Sequence, residues 1–144
     1  AMRALSAHLL AQSGAALILD YGYARPPGAT VADADTLQAV RGHQYTHPLK
    51  DPGLADLTAH VDFGALAQTA RDLGLQIHGP VSQGAFLQSL GGDLWLQKIL
   101  AKATPAQGET IESGYLRLIS PAQMGTLFKV MAVTTLPSLS GFLR

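Results

Sequence analysis

The 144-residue chain has no cysteine. Disulfides, thiolate metal centres and cysteine nucleophiles are excluded together, and a reducing cytoplasm is compatible with that absence. Charge is also scarce. Charged residues make up 14% of the chain, against roughly 25% in an ordinary soluble domain. Ten basic residues balance ten acidic ones. The basic ones are scattered from Arg3 to Arg144 with no run among them, so nucleic acid is not an expected partner. No apolar run approaches the roughly 20 residues of a membrane span, and the start lacks a basic-then-apolar leader pattern, so no membrane partner is expected either. A G-x-G-x-x-G turn is missing, and Gly22, Gly28 and Gly42 stand too far apart to cradle a cofactor. A serine hydrolase elbow is missing too, because GPVSQG (79–84) has the wrong spacing.

What remains is a chain that is 47% hydrophobic. Its length suits one domain, 1–144, with a sizeable core. So few charges cannot cover the surface of such a domain, which implies that part of it is buried against something else. Leu5, Leu9 and Leu10 are spaced for one face of a helix over 3–12, stopped by Ser13-Gly14. AALIL (15–19) is apolar at every position and reads as a strand covered on both faces, as in a parallel sheet. Asp20, Tyr21 and Gly22 follow at its carboxyl end, where open α/β sheets bind ligands. Asp20 either serves such a site or caps the next turn.

Residues 23–57 show no sustained periodicity and hold several prolines and glycines. A stretch of that length is expected to be a long irregular, substrate-facing loop, with a flexible linker as the alternative. Regular structure resumes at Asp62, a good helix cap before the stripe Phe63, Leu66, Ala67 and Ala70, with Val61 placed to staple onto Leu66. Gly74 ends that helix. Leu75 and Ile77 mark a short strand closed by Gly79-Pro80. Ser82 then caps a helix that turns Phe86, Leu87 and Leu90 inward, and Asp93 opens another with Trp95 in the core or between helices. A break at 104–107, a helix over 110–119 and a helix start at Ser120-Pro121 come next. FKVMAVT (128–134) reads as the last strand. Three strands and about six helices are expected.

His43 and His47 have i, i+4 spacing, and His60 could add a third metal ligand. Gln44 follows His43, however, and Pro48 stops a helix there, so no metal site is expected.

Four segments carry a resemblance when taken in order: AALILDYGY (15–23), LQAVRGHQY (37–45), PGLADLTAHVDF (52–63) and GPVSQGAFLQSLGG (79–92). With SPAQMGTLFKVMAV (120–133), the chain resembles the C-terminal half of MidA-type S-adenosylmethionine (SAM)-dependent methyltransferases. That family includes the mitochondrial complex I assembly-factor methyltransferase. The resemblance implies an α/β fold, the C-terminal half of a class I (Rossmann-like) sheet whose antiparallel seventh strand lies between the fifth and the sixth. Residues 15–20 then match the fifth strand, 75–79 the sixth and 128–134 the seventh, with 82–125 a helical insertion before the last.

The half that binds SAM in that family would precede residue 1, so no residue here is assigned to the cofactor, and this chain alone is expected to be inactive. The resemblance further implies a protein substrate, methylated on arginine, in a respiratory or other partner. Carboxylates orient a guanidinium by bidentate pairing. Asp20, Asp56 and His60 are accordingly the expected catalytic residues, and Tyr21, Arg41, His43, Thr58 and Asp62 the expected substrate-binding ones. Simpler roles stay open: Asp62 as a helix cap, Thr58 as a backbone partner, and Arg41 as a loop anchor. A second functional class also stays open, a non-catalytic interaction module whose bare sheet edge docks a missing N-terminal half or a second chain. A bacterial cytoplasmic location is expected.

Overall fold

The computed structural model describes residues 1–24 and 36–142. Helix α1 (Met2–Gln12) leads into strand β1 (Ala15–Tyr23). Strands β2 (Leu37–Arg41), β3 (Gln44–Thr46), β4 (Asp56–Ala59) and β5 (Val61–Asp62) follow, then α2 (Phe63–Asp72) and β6 (Gln76–Ser82). Helices α3 (Gln83–Ser89), α4 (Gly92–Leu100), α5 (Pro105–Ile119) and α6 (Met124–Leu127) precede the last strand, β7 (Phe128–Thr134).

The main sheet has the order β5-β1-β7-β6. Strand β7 runs antiparallel to both β1 and β6, from Ala15 opposite Thr134 to Tyr21 opposite Phe128 on one side. The two outer strands are therefore parallel to each other, with the last strand of the chain inserted between them. This is the expected plan, and 128–134 is found with both its bounds. Strand β6 continues past Gly79-Pro80 to Ser82. A register irregularity between His78 and Val81 lets the sheet absorb a proline, which has no N–H to donate.

One face of this sheet holds the core. Ala16, Ile18, Met131, Val133 and Ile77 meet Met2 and Leu9 of α1 and Phe63, Ala67 and Ala70 of α2. On β1 the opposite face is open: Leu17 is 50% and Leu19 47% exposed. The expectation of a strand covered on both faces is thus met in full on one face only: on the other, the described residues leave Leu19 half exposed and put Leu17 in a cavity with Phe86, Leu139 and Phe142.

The stretch expected as one long irregular loop is partly ordered. Residues 25–35 of it lie outside the described residues. Beyond them β2 and β3 form a hairpin, and β4 pairs with β2 in a second, antiparallel sheet, β3-β2-β4. Gly42 (φ 56°) and His43 (φ 61°) take the two left-handed positions that a tight hairpin turn demands. The helical insertion also differs in detail. Thr104 caps α5 with a reciprocal capping box to Gln107 and Pro105 at its first position, so the expected break is a helix start. Ser120 ends α5, and its carbonyl accepts from Gln123 N–H and Gly125 N–H, which makes a turn of the expected helix start. Leu90 faces outward, 52% exposed, rather than into the core; Trp95, 55% exposed, is also outside the core and lines an apolar cavity with Tyr115 and Leu118 of α5, the between-helices alternative.

Candidate functional site

The carboxyl end of β1 is where the two sheets meet. Gly22 pairs with Val61 and Tyr23 with Asp62, parallel, so the β4–β5 segment lies alongside the strand end. That approach requires glycine: a Cβ on Gly22 would stand 2.3 Å from the Val61 carbonyl oxygen and 2.9 Å from the Phe63 ring. The Tyr21 ring lies edge-on to His60 at 5.6 Å and to Phe128 at 5.8 Å. Its hydroxyl is hydrogen-bonded to the Thr58 hydroxyl across the gap between the sheets. Tyr21, Thr58 and His60 are therefore brought together. Phe128 completes the group and was not singled out from the sequence. Its signal was the antiparallel register, which sets the first residue of the last strand opposite Tyr21.

The remaining expected residues divide. Asp56 and Thr58 are two apart on β4 and share a face of that strand, and the Asp56 side chain is exposed, its carboxylate in no hydrogen bond or ion pair among the described residues. Asp20 does not join the group. It alternates to the opposite face from Tyr21, and its carboxylate accepts from Tyr21 N–H at 2.8 Å. Lys129, its partner in register, bonds the Thr126 carbonyl instead. Asp62 caps α2, accepting from Ala65 N–H at 3.0 Å. Arg41 sits at the hairpin end, paired with Asp51 at 3.1 Å, next to His43 in the turn. Among the described residues, no hydrogen bond links Arg41 or His43 to Tyr21, Thr58 or His60. They reach the site only through β2, whose Gln38 and Val40 pair with Thr58 and Asp56.

Among the described residues the chain turns from strand to helix twice, at Asp62–Phe63 and at Ser82–Gln83. Both turns are immediate, each closed by its own side-chain cap. Neither leaves the glycine loop whose backbone N–H groups hold a nucleotide-like cofactor. Neither of these two turns is therefore a cradle for a methyl donor. Nor do three metal-ligating side chains converge among the described residues. An apolar cavity of about 320 Å³ lies away from the cluster, in the helical insertion, lined by Leu87, Leu90, Trp95, Tyr115 and Leu118.

A model of the family described as "Putative S-adenosyl-L-methionine-dependent methyltransferase" matches residues 2–81, more than half of the chain. The chain belongs to the MidA-type SAM-dependent methyltransferase family. Among curated members, the Drosophila melanogaster homolog of the mitochondrial protein arginine methyltransferase NDUFAF7 is 45% identical over 83% of this chain and 26% of its own length. The Danio rerio protein of that name is 36% identical over 90% of this chain and 29% of its own. The chain thus spans between a quarter and a third of these relatives. Two crystal structures of related Burkholderia thailandensis proteins share the fold, with TM-scores of 0.76 and 0.72 at 31% and 30% identity. Each match covers 98% of this chain, and 39% or 38% of the solved one. The second was solved with S-adenosyl-homocysteine bound. These neighbours establish the fold as a portion of the Rossmann-like methyltransferase fold. The curated relatives correct one expectation: they are mitochondrial proteins of animals, not bacterial cytoplasmic ones.

Proposed function

We propose that this chain is the acceptor-side portion of a SAM-dependent protein methyltransferase, acting on an arginine of a respiratory or other protein partner. The methyl donor would be held by the part of the family's length that this chain does not span. The observation that carries the reading is the meeting of Tyr21, Thr58 and His60 at the carboxyl end of β1, with the unpaired carboxylate of Asp56 on the Thr58 face of β4. An unpaired carboxylate suits a guanidinium, because it can pair with the N–H fork. Asp56 shares its strand face with Thr58, the residue that Tyr21 bonds, and the names of the relatives point to the same acceptor.

The test uses the intact methyltransferase with its protein substrate. Asp56→Asn and His60→Ala should each lower arginine methylation by about 100-fold, the scale on which misplaced reacting groups slow an enzyme. Thermal unfolding should stay within about 2 °C of the parent, because both changes lie near the surface. Unchanged turnover would remove these residues from the site.

A second reading rests on a different feature. Among the described residues, β1 pairs on the side away from β7 only at Gly22 and Tyr23, so its edge over residues 15–21 is left open, with Leu17 and Leu19 half exposed on the strand. Such an edge takes another strand. In the methyltransferase reading that strand belongs to the rest of the protein; in a docking module it belongs to a second chain.

A further inference from the structure

A polar cavity of about 210 Å³ opens at the hairpin end of the second sheet, lined by Arg41, Gln44, Tyr45, Thr46, Lys50 and Asp51. It is smaller than the roughly 300–1,000 Å³ of small-molecule sites and suits a single side chain. From Arg41 to Lys50 the chain carries two cations, two histidines and no acidic residue. The Lys50 ammonium has no partner among the described residues. Arg41 has only Asp51, and both side chains of that pair are half exposed, at 52% and 51%. Such a pair is worth little, so its guanidinium is free to exchange partners. The Tyr45 and Thr46 hydroxyls and the Gln44 amide add neutral donors.

The cavity is built rather than incidental. Leu49 N–H donates to His47 Nδ1 at 3.1 Å, Lys50 N–H to the His47 carbonyl at 2.9 Å, and Leu54 N–H to the Asp51 carbonyl at 3.1 Å. His43 at φ 61° and Asp51 at φ 49° are both held in the left-handed region. Histidine and aspartate enter that region more readily than most residues, and the tight turns fix them there.

We infer that this cavity recognises a carboxylate side chain of an acidic peptide, and, resting on the arginine reading above, that it reads an acidic residue near the acceptor arginine. Gln38 pairs with Thr58, and Arg41, three residues further along β2, turns to the opposite face of the strand. A peptide seated at the site therefore passes round the hairpin end of the sheet to reach the cavity, a path longer than the about 10 Å of strand between them. An extended peptide covers about 3.3 Å per residue, so the acidic side chain belongs at least about four positions from the arginine.

The experiment compares two fluorescent peptides on the intact chain by anisotropy at low salt. Both carry one arginine; one has glutamates from the fourth to the sixth residue on either side, the other glutamines. The glutamate peptide should bind about tenfold tighter. Lys50→Glu should erase that preference, while Lys98→Glu, the same charge change on α4, should keep it. Amide shifts on adding hexaglutamate to labelled protein give a reading that does not depend on the arginine. They should gather at Gln44, Thr46 and Lys50. Absence of those shifts, equal shifts with hexaglutamine, or a preference that survives Lys50→Glu would each overturn the inference. So would inorganic phosphate producing the same shifts as strongly, which would make this a small-anion site. If methylation of arginine proceeds without the preference, this inference alone fails. If the preference holds and no arginine is methylated, the acceptor reading alone fails.

Discussion

Asp62 shows how one side chain can be read correctly for a reason unrelated to catalysis. The pattern of an acidic residue before Phe63, Leu66 and Ala67 is a helix start, and the carboxylate does bond Ala65 N–H. Asp62→Ala should therefore cost about 1 kcal/mol of stability. For a chain of this length that is a fall of about 2–4 °C in Tm by calorimetry. Turnover of the intact methyltransferase should stay unchanged, and a large loss of activity at constant Tm would make Asp62 a substrate ligand instead. Asp20 shows the opposite case. Its place after the apolar run was legible, but its side is set by strand alternation, and residue 20 cannot share a face with residue 21. Tyr21, His60 and Thr58 were legible as chemistry-bearing residues of the matching segments. That one hydroxyl bridges two sheets was not, because the bond depends on a fold spanning 37 residues of sequence.

At the scale of elements, helices were easier to read than strands. A helix with one buried face writes its period into the sequence, as α2 does through Phe63, Ala67 and Ala70. The second sheet writes none. Among all residues of β2, β3 and β4 only Ala39 is buried, and Tyr45 and Leu57 stand 79% and 60% exposed. Strand alternation records one-sided burial, so a sheet that buries almost nothing leaves no pattern. In the helical insertion, α4 and α5 are joined by the Tyr115 hydroxyl, which donates to Asp93 at 2.7 Å. Burial first, and then the bond to Asp93 and its charge, push the Tyr115 pKa up to about 12 from the usual 10.0. The folded chain thus holds that proton more tightly than the unfolded one. The stabilisation is intact below about pH 10 and is lost as pH rises toward 12. Urea midpoints should fall over that window, and more steeply than in Tyr115→Phe. Parallel declines in the two proteins would show that the hydroxyl plays no part.

The whole molecule carries an apolar surface that its own layers do not cover. The low charge content signalled this, and Leu17 and Leu19 give it a location on the open side of β1. The chain alone should self-associate through that strand, and the double change Leu17→Lys, Leu19→Lys should return it to a monomer in sedimentation velocity. A parent chain that sediments as a monomer at all concentrations would contradict the expectation. The order of strands has another consequence. Strand β7 is the most deeply buried of the sheet, with Val130, Met131, Val133 and Thr134 at 0% exposure, and it is also the last to be made. Until it arrives, β1 and β6 have no hydrogen bonds to each other and an empty slot between them. A ribosome adding roughly 5–20 residues per second leaves β1 waiting for several seconds, its apolar residues open to any passing strand. Synthesis of this protein therefore has a vulnerable interval with a defined end, the release of Phe128–Thr134 from the exit tunnel. A holdase that shields β1 until then would protect the fold more than one that acts afterwards.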